Sequence, residues 1–187
     1  QGQNTLQIKL QDGNFGPENI FDVGININND IPILELPNSV VDYTLDAEPL
    51  VLAPNLVLTE DSANYSGGYL RVEMQNYTSD SYNDSDFESI SLKTDGIIAI
   101  TQETNPYSPP GDVITYNDVV IGTLMSGEQT PFLDIIFNEN STPEAVQALL
   151  QRVTYFSSNP NSQGQNTLQI KLQDGNFGPE NIFDVGI

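Results

Sequence analysis

The sequence predicts an all-β fold, an antiparallel β-sandwich with one short helix, and three observations carry that expectation. Apolar and polar residues alternate with period two along several short segments, which places one side of each in a core and the other in water. Turn-forming clusters such as Asp95-Gly96, Pro109-Pro110-Gly111-Asp112, Ser126-Gly127 and Asp174-Gly175-Asn176 punctuate the chain. One stretch alone, from Ser141 to about Gln151, switches to helical spacing.

The strictly alternating segments are Leu6–Leu10, Val23–Ile27, Leu70–Met74 and Leu168–Leu172, joined by Leu133–Phe137 at its odd positions. Apolar runs at Val40–Leu45, Leu50–Leu52, Leu56–Leu58, Ile97–Ile100, Val113–Tyr116 and Val119–Leu124 read as further strands. Many short strands with frequent turns indicate a sandwich. Asn76–Asp86 is polar and acidic with little to bury and reads as a loop. The helix announces itself by a hydroxyl cap and proline in Ser141-Thr142-Pro143-Glu144, where the missing N–H costs nothing and the acid meets the positive helix end. Val146, Leu149, Leu150 and Val153 follow on one face, so Pro143–Gln151 is expected to plug an end or side of the sandwich.

Residues Gln1–Ile25 and Gln163–Ile187 are identical, letter for letter, at an offset of 163 − 1 = 162. Identity of that length marks a window on a tandem array. Residues 1–27 read as the last two strands of a preceding repeat, and 28–187 as one complete repeat. The first two strands are expected to form only where a preceding domain or another chain completes their sheet, because the complete repeat already owns their copies.

The chain carries 26 acidic and 5 basic residues, a formal charge of −21. Removing the duplicated Asp12, Glu18, Asp22 and Lys9 leaves 23 acids and 4 bases, or −19 per repeat. Nucleic acid and anionic membrane surfaces are poor partners for such a chain, since both need clustered Lys and Arg, and no nucleic-acid partner is expected. The chain has no Cys and no His, which removes the usual zinc and copper ligands and leaves oxygen-seeking ions such as calcium. Without His, no nucleophile–His arrangement can be built, and no Gly-rich phosphate loop is present, so no enzyme is expected. No apolar run approaches the roughly 18 residues of a membrane span, and no membrane insertion is expected.

The run Leu168–Gly175 with Pro179, together with Val23–Ile33 (VGININNDIPI), resembles the last two strands and linker of a cadherin-type repeat. In that family a strand ends in Asp-x-Gly and an Asp-x-Asn-Asp-Asn-x-Pro linker leads into the next domain. The rest is similar to the cadherin-like repeats of giant bacterial surface proteins, which are related in pattern to chondroitin-sulfate-proteoglycan repeats. The matching pieces are Tyr43-Thr44, the loop LTEDSANYSGG (Leu58–Gly68), Val120–Thr123, Thr142–Leu150 and Val153–Tyr155. The resemblance implies a cadherin- or immunoglobulin-like sandwich, with calcium held between successive domains. Carried over position by position, the metal ligands are Asn26, Asn28, Asn29 and Asp30 of the linker, Glu60 and Asp61 of the loop, and Asp174 with its copy Asp12. The linker departs from the family pattern by reading Asn-Ile-Asn-Asn-Asp, and Thr59 stands where the loop's first Asp is expected.

Two functions are expected to compete. The first is a structural repeat of an extracellular, cell-surface adhesin, stalk or filament, rigidified by calcium, whose partners are neighbouring identical repeats joined covalently or by strand addition. The second is a carbohydrate-binding sandwich, with glycans as partners and Tyr65, Tyr77, Tyr82 and Tyr107 as exposed loop aromatics.

Overall fold

The computed structural model describes residues 2–10, 19–27, 32–37, 40–75, 88–102, 112–126, 131–158, 166–175 and 180–187, with backbone alone for 2–10, 19–27 and 102. Within it the chain divides into two compact units, Gln1–Asp30 and Ile31–Ile187.

The first unit is a hairpin of β1 (Gly2–Leu10) and β2 (Asn19–Ile27), paired antiparallel from Gly2 against Ile27 to Leu10 against Asn19. This corrects the expectation that these strands need a third to form. Their copies in the second unit, β13 (Thr167–Gln173) and β14 (Asn181–Gly186), pair in the same register: Leu6 faces Val23 in one hairpin, and Leu168 faces Val185 in the other. The local sequence therefore fixes the register in both settings. The settings differ, because β13 also pairs with β6 (Tyr69–Met74), whereas β1 pairs with β2 alone among the described residues. Identical side chains give identical intrinsic amide exchange, so the pair forms an internal control. Amides of β13 that bond to β6 are expected to exchange at least about a hundredfold more slowly than their copies in β1. Equal protection by hydrogen-exchange mass spectrometry would show that β1 has found another partner.

The second unit is an all-β sandwich with one helix. Its large layer is a seven-stranded sheet in the order β14, β13, β6, β11 (Phe132–Phe137), β10 (Val119–Ser126), β9 (Asp112–Tyr116), β8 (Ile98–Gln102), with antiparallel pairs throughout. The opposing layer consists of β4 (Leu50–Val51), β12 (Val153–Ser157) and β7 (Glu88–Leu92), with a separate pair of β3 (Ile33–Glu35) and β5 (Val57–Thr59). Alternation delivers Leu70, Val72, Leu133, Ile135, Leu168, Ile170 and Leu172 from the large sheet into the core. Ile90, Leu92, Val153 and Tyr155 meet them from the other layer. Val40–Leu45, expected as a strand, keeps only one parallel bridge, Val40 to Gly186. Three strands go beyond those expected: β3 inside the linker motif, β7 behind a charged first residue, and β12, whose Val153 was expected on the helix face.

The helix α1 spans Pro143–Leu150, where it was expected. Thr142 Oγ1 accepts the Ala145 N–H at 3.3 Å, and Ala145, Val146, Leu149 and Leu150 are buried. It also closes a sheet edge. Gln147 Oε1 accepts the Leu58 N–H at 2.9 Å and Gln151 Nε2 donates to the Leu56 carbonyl at 2.8 Å, so two side chains satisfy backbone groups along β5.

The register sorts the sandwich into two ends. Ile33 faces Thr59, Tyr69 faces Gln173, Leu172 faces Asn181, and the Asn181 amide donates to the Pro32 carbonyl, so Pro32 lies beside the start of β14. We call this the linker end. At the other end Thr167 faces Gly186, and Asn166 and Ile187 exchange two backbone hydrogen bonds of 2.8 Å. The chain thus comes into this unit at one end and reaches Ile187 at the other, a strand length of about 20 Å away.

Candidate metal centre at the linker end

The loop Glu60–Gly68 joins β5 to β6 across the linker end and is held there by backbone bonds. Tyr65 N–H donates to the Ser141 carbonyl (2.9 Å), Gly67 N–H to Phe137 (3.1 Å), and Phe137 N–H back to Gly68 (2.9 Å). Tyr65 is fully buried and packs edge-on against Phe137, with ring centroids 5.6 Å apart. The loop also lies directly on the turn after β13. A Cβ at Gly68 would stand 2.2 Å from the Gln173 carbonyl oxygen, and one at Gly175 only 1.5 Å from that of Ser66. Only glycine fits at either position, so the two glycine motifs exist to let these backbones touch.

This contact brings two of the expected acids together. Asp174 is 2 % exposed, and its Oδ2 accepts from Ser62 Oγ at 3.4 Å. Glu60 Oε1 accepts the Asp61 and Ser62 N–H groups at 2.9 Å each, a tight turn that aims the carboxylate inward. Its Oε2 and the Tyr65 hydroxyl are both buried, make no hydrogen bond of ordinary geometry, and interact with each other. Burial raises the pKa of Glu60, because the charged form has lost water, and the two backbone donors only partly offset this. Burial also pushes the Tyr65 phenol up, and the nearby negative charges of Glu60 and Asp174 push it further, so it stays protonated. Two carboxylates and two hydroxyls thus converge at this end, oxygen groups of the kind a hard cation takes.

The remaining expected ligands divide. Asp61 is exposed at the loop's outer side and contributes its N–H to Glu60. Asn26 lies in β2 opposite Gln3. Asn28, Asn29, Asp30 and Asp12 lie outside the described residues. Among the described residues no group of three or more acids is close enough to hold a metal by itself. The described donors are therefore Glu60, Asp174, Ser62 and Tyr65. The last two were not among the expected ligands. Tyr65 is corrected outright, since a fully buried ring cannot serve as an exposed glycan platform; Tyr77, Tyr82 and Tyr107 lie outside the described residues. The available signal was its place two residues before a Gly-Gly pair in a motif that must fold onto the sandwich.

A second cluster joins two other motif pieces at the opposite end. Tyr43 packs edge-on against Tyr155 (5.2 Å, 81°), whose hydroxyl donates to the buried Glu88 carboxylate at 3.0 Å. Ser157 Oγ adds a contact of 3.4 Å. Neutral donors hold this carboxylate in a packed wall, which reads as a structural clamp.

Compared with protein-family models, with curated proteins and with solved structures, the chain has no match.

Proposed function

We propose that the chain is a structural repeat of an extracellular tandem array, a stalk or filament of the cell surface, in which sandwiches stack end to end and calcium stiffens each junction. The observation that carries this reading is the placement of Pro32 and Ile187 at opposite ends of the sandwich, which lets successive repeats continue along one line. The 25-residue identity at an offset of 162 supplies the tandem character. No catalytic role is part of the reading.

Glu60 and Asp174 would hold the ion, with Ser62 and Tyr65 beside them. The linker Asn28–Asp30 is joined through Ile31 and Pro32 to Ile33, which pairs with Thr59 immediately before Glu60. When bound, the ion would neutralise charge in a repeat of −19. A ligand that binds only the folded state at a hundredfold excess over its dissociation constant adds about 2.7 kcal/mol. For a unit of this size that raises Tm by about 5–10 °C. The test is melting at fixed ionic strength with calcium, magnesium or chelator, on wild type and on Glu60→Gln with Asp174→Asn. Calcium is expected to stabilise wild type alone. A shift that magnesium reproduces, or that survives the double substitution, reduces the effect to screening of an acidic surface.

A further inference from the structure

The outward face of the large sheet carries a groove of about 390 Å3. Register sets its contents. Lys171, Arg71 and Asp134 form one cross-strand row over β13, β6 and β11, while Tyr69 and Ile136 stand side by side in the next. Met125, in the register shift at the end of β10, closes one wall.

The charges here are already matched. Arg71 clasps Asp134 with two nitrogens at 2.6 and 2.8 Å, Lys171 meets Glu73 at 2.6 Å, and the Tyr69 hydroxyl donates to Glu180. An ionic ligand would have to break one of these pairs, and an anion would also approach a domain of −19. Each pair nevertheless keeps unused capacity. A guanidinium offers five N–H donors and an ammonium three, and a carboxylate has about four lone-pair sites. Alternating fixed donors and acceptors suit a ligand whose adjacent groups both give and accept hydrogen bonds. Between them lies apolar surface: Met125 and Ile136 are 64 % and 46 % exposed beside the half-buried Tyr69 ring. A sugar ring has both properties, hydroxyls at its rim and C–H groups on its face, and the groove falls within the usual size of small-ligand sites.

We infer that this groove binds a neutral glycan, with the C–H face of one ring against Tyr69, Met125 and Ile136 and its hydroxyls on the Arg71–Asp134 pair and Lys171. The inference uses none of Glu60, Ser62, Tyr65 and Asp174, so it is tested separately from calcium. In an array, each repeat would present the same groove at the same spacing, so individually weak sites would gain by multivalency.

The test is amide chemical-shift titration of the full chain with cellotriose, xylotriose and laminaritriose, against trigalacturonate as the charged control. At least one neutral trimer is expected to shift residues 69–71, 125, 134–136 and 171, saturably, while trigalacturonate does not. Tyr69→Ala is expected to weaken that binding about tenfold or more. Met125→Ala, at an exposed position that leaves folding intact, is expected to weaken it less but measurably. Three results would overturn the inference: no neutral trimer shifting these residues, equal binding by Met125→Ala and Tyr69→Ala, or shifts at the same residues that depend on protein concentration without sugar. The last would make the face a contact between copies of the chain.

Discussion

Gly175→Ala is expected to destabilise the sandwich by about 3 kcal/mol, the upper range for overpacking, and to lower Tm by roughly 6–12 °C. The new methyl would stand 1.5 Å from the Ser66 carbonyl oxygen and 2.6 Å from its carbon, with backbone on both sides and no flexible side chain to yield. Either the Glu60–Gly68 loop lifts away from the end of β13, or the turn after β13 moves. Both separate Glu60 from Asp174, so the calcium response should fall with stability. Gly96 supplies the control. Its φ is +87° but nothing lies within 4 Å of an added Cβ, so Gly96→Ala pays only the left-handed backbone cost of about 1–2 kcal/mol. Equal melting temperatures for the two variants would show that the close approach at Gly175 is absent in solution.

Glu60→Gln is expected to stabilise the metal-free protein at neutral pH and to abolish its gain from calcium. Burial raises the folded-state pKa of Glu60 above its ordinary value near 4.5, so the folded state prefers the protonated acid. The contribution of this group to stability is then fully present below that ordinary value. It is lost as pH rises through the raised folded value. At pH 7 the ionised and partly desolvated carboxylate is a liability that a neutral amide removes. The gain is about 1 kcal/mol at most, because partial exposure screens the charge. With calcium the order of the two proteins reverses. Melts in chelator from pH 4 to pH 8 should show the variant's advantage appearing only on the alkaline side. A variant less stable than wild type throughout, with an unchanged calcium response, would remove Glu60 from the site.

Much of this fold is legible because its strands bury one face against a core and leave the other wet. In β13 every second residue, Leu168, Ile170 and Leu172, is fully buried, and its alternation survives unchanged in the sequence. The helix is legible for a different reason, since cap, proline and apolar stripe are all local. The failures share a cause in long-range contact. Glu88 begins β7 and looks like a solvent residue, yet Tyr155 and Ser157, far along the chain, make its burial affordable. Val40–Leu45 has strand composition, but among the described residues only Gly186 offers it a ladder partner. At the candidate site, the pairing of the Glu60 loop with Asp174 followed from family resemblance alone. No local pattern reports that Gly68 and Gly175 press two distant backbones together. Tyr65 was misread for the same reason, because a tyrosine between Asn and Ser looks exposed until Phe137 and Ser141 close over it.

The central claim is that these sandwiches continue one another along a line and that calcium makes the line rigid. Small-angle X-ray scattering on a chain of two complete repeats tests it most directly. In calcium the account predicts a rod with a maximum dimension about twice that of a single repeat, and chelator is expected to broaden the distribution and shorten its mean. A compact side-by-side particle, or a profile indifferent to calcium at fixed ionic strength, would contradict it.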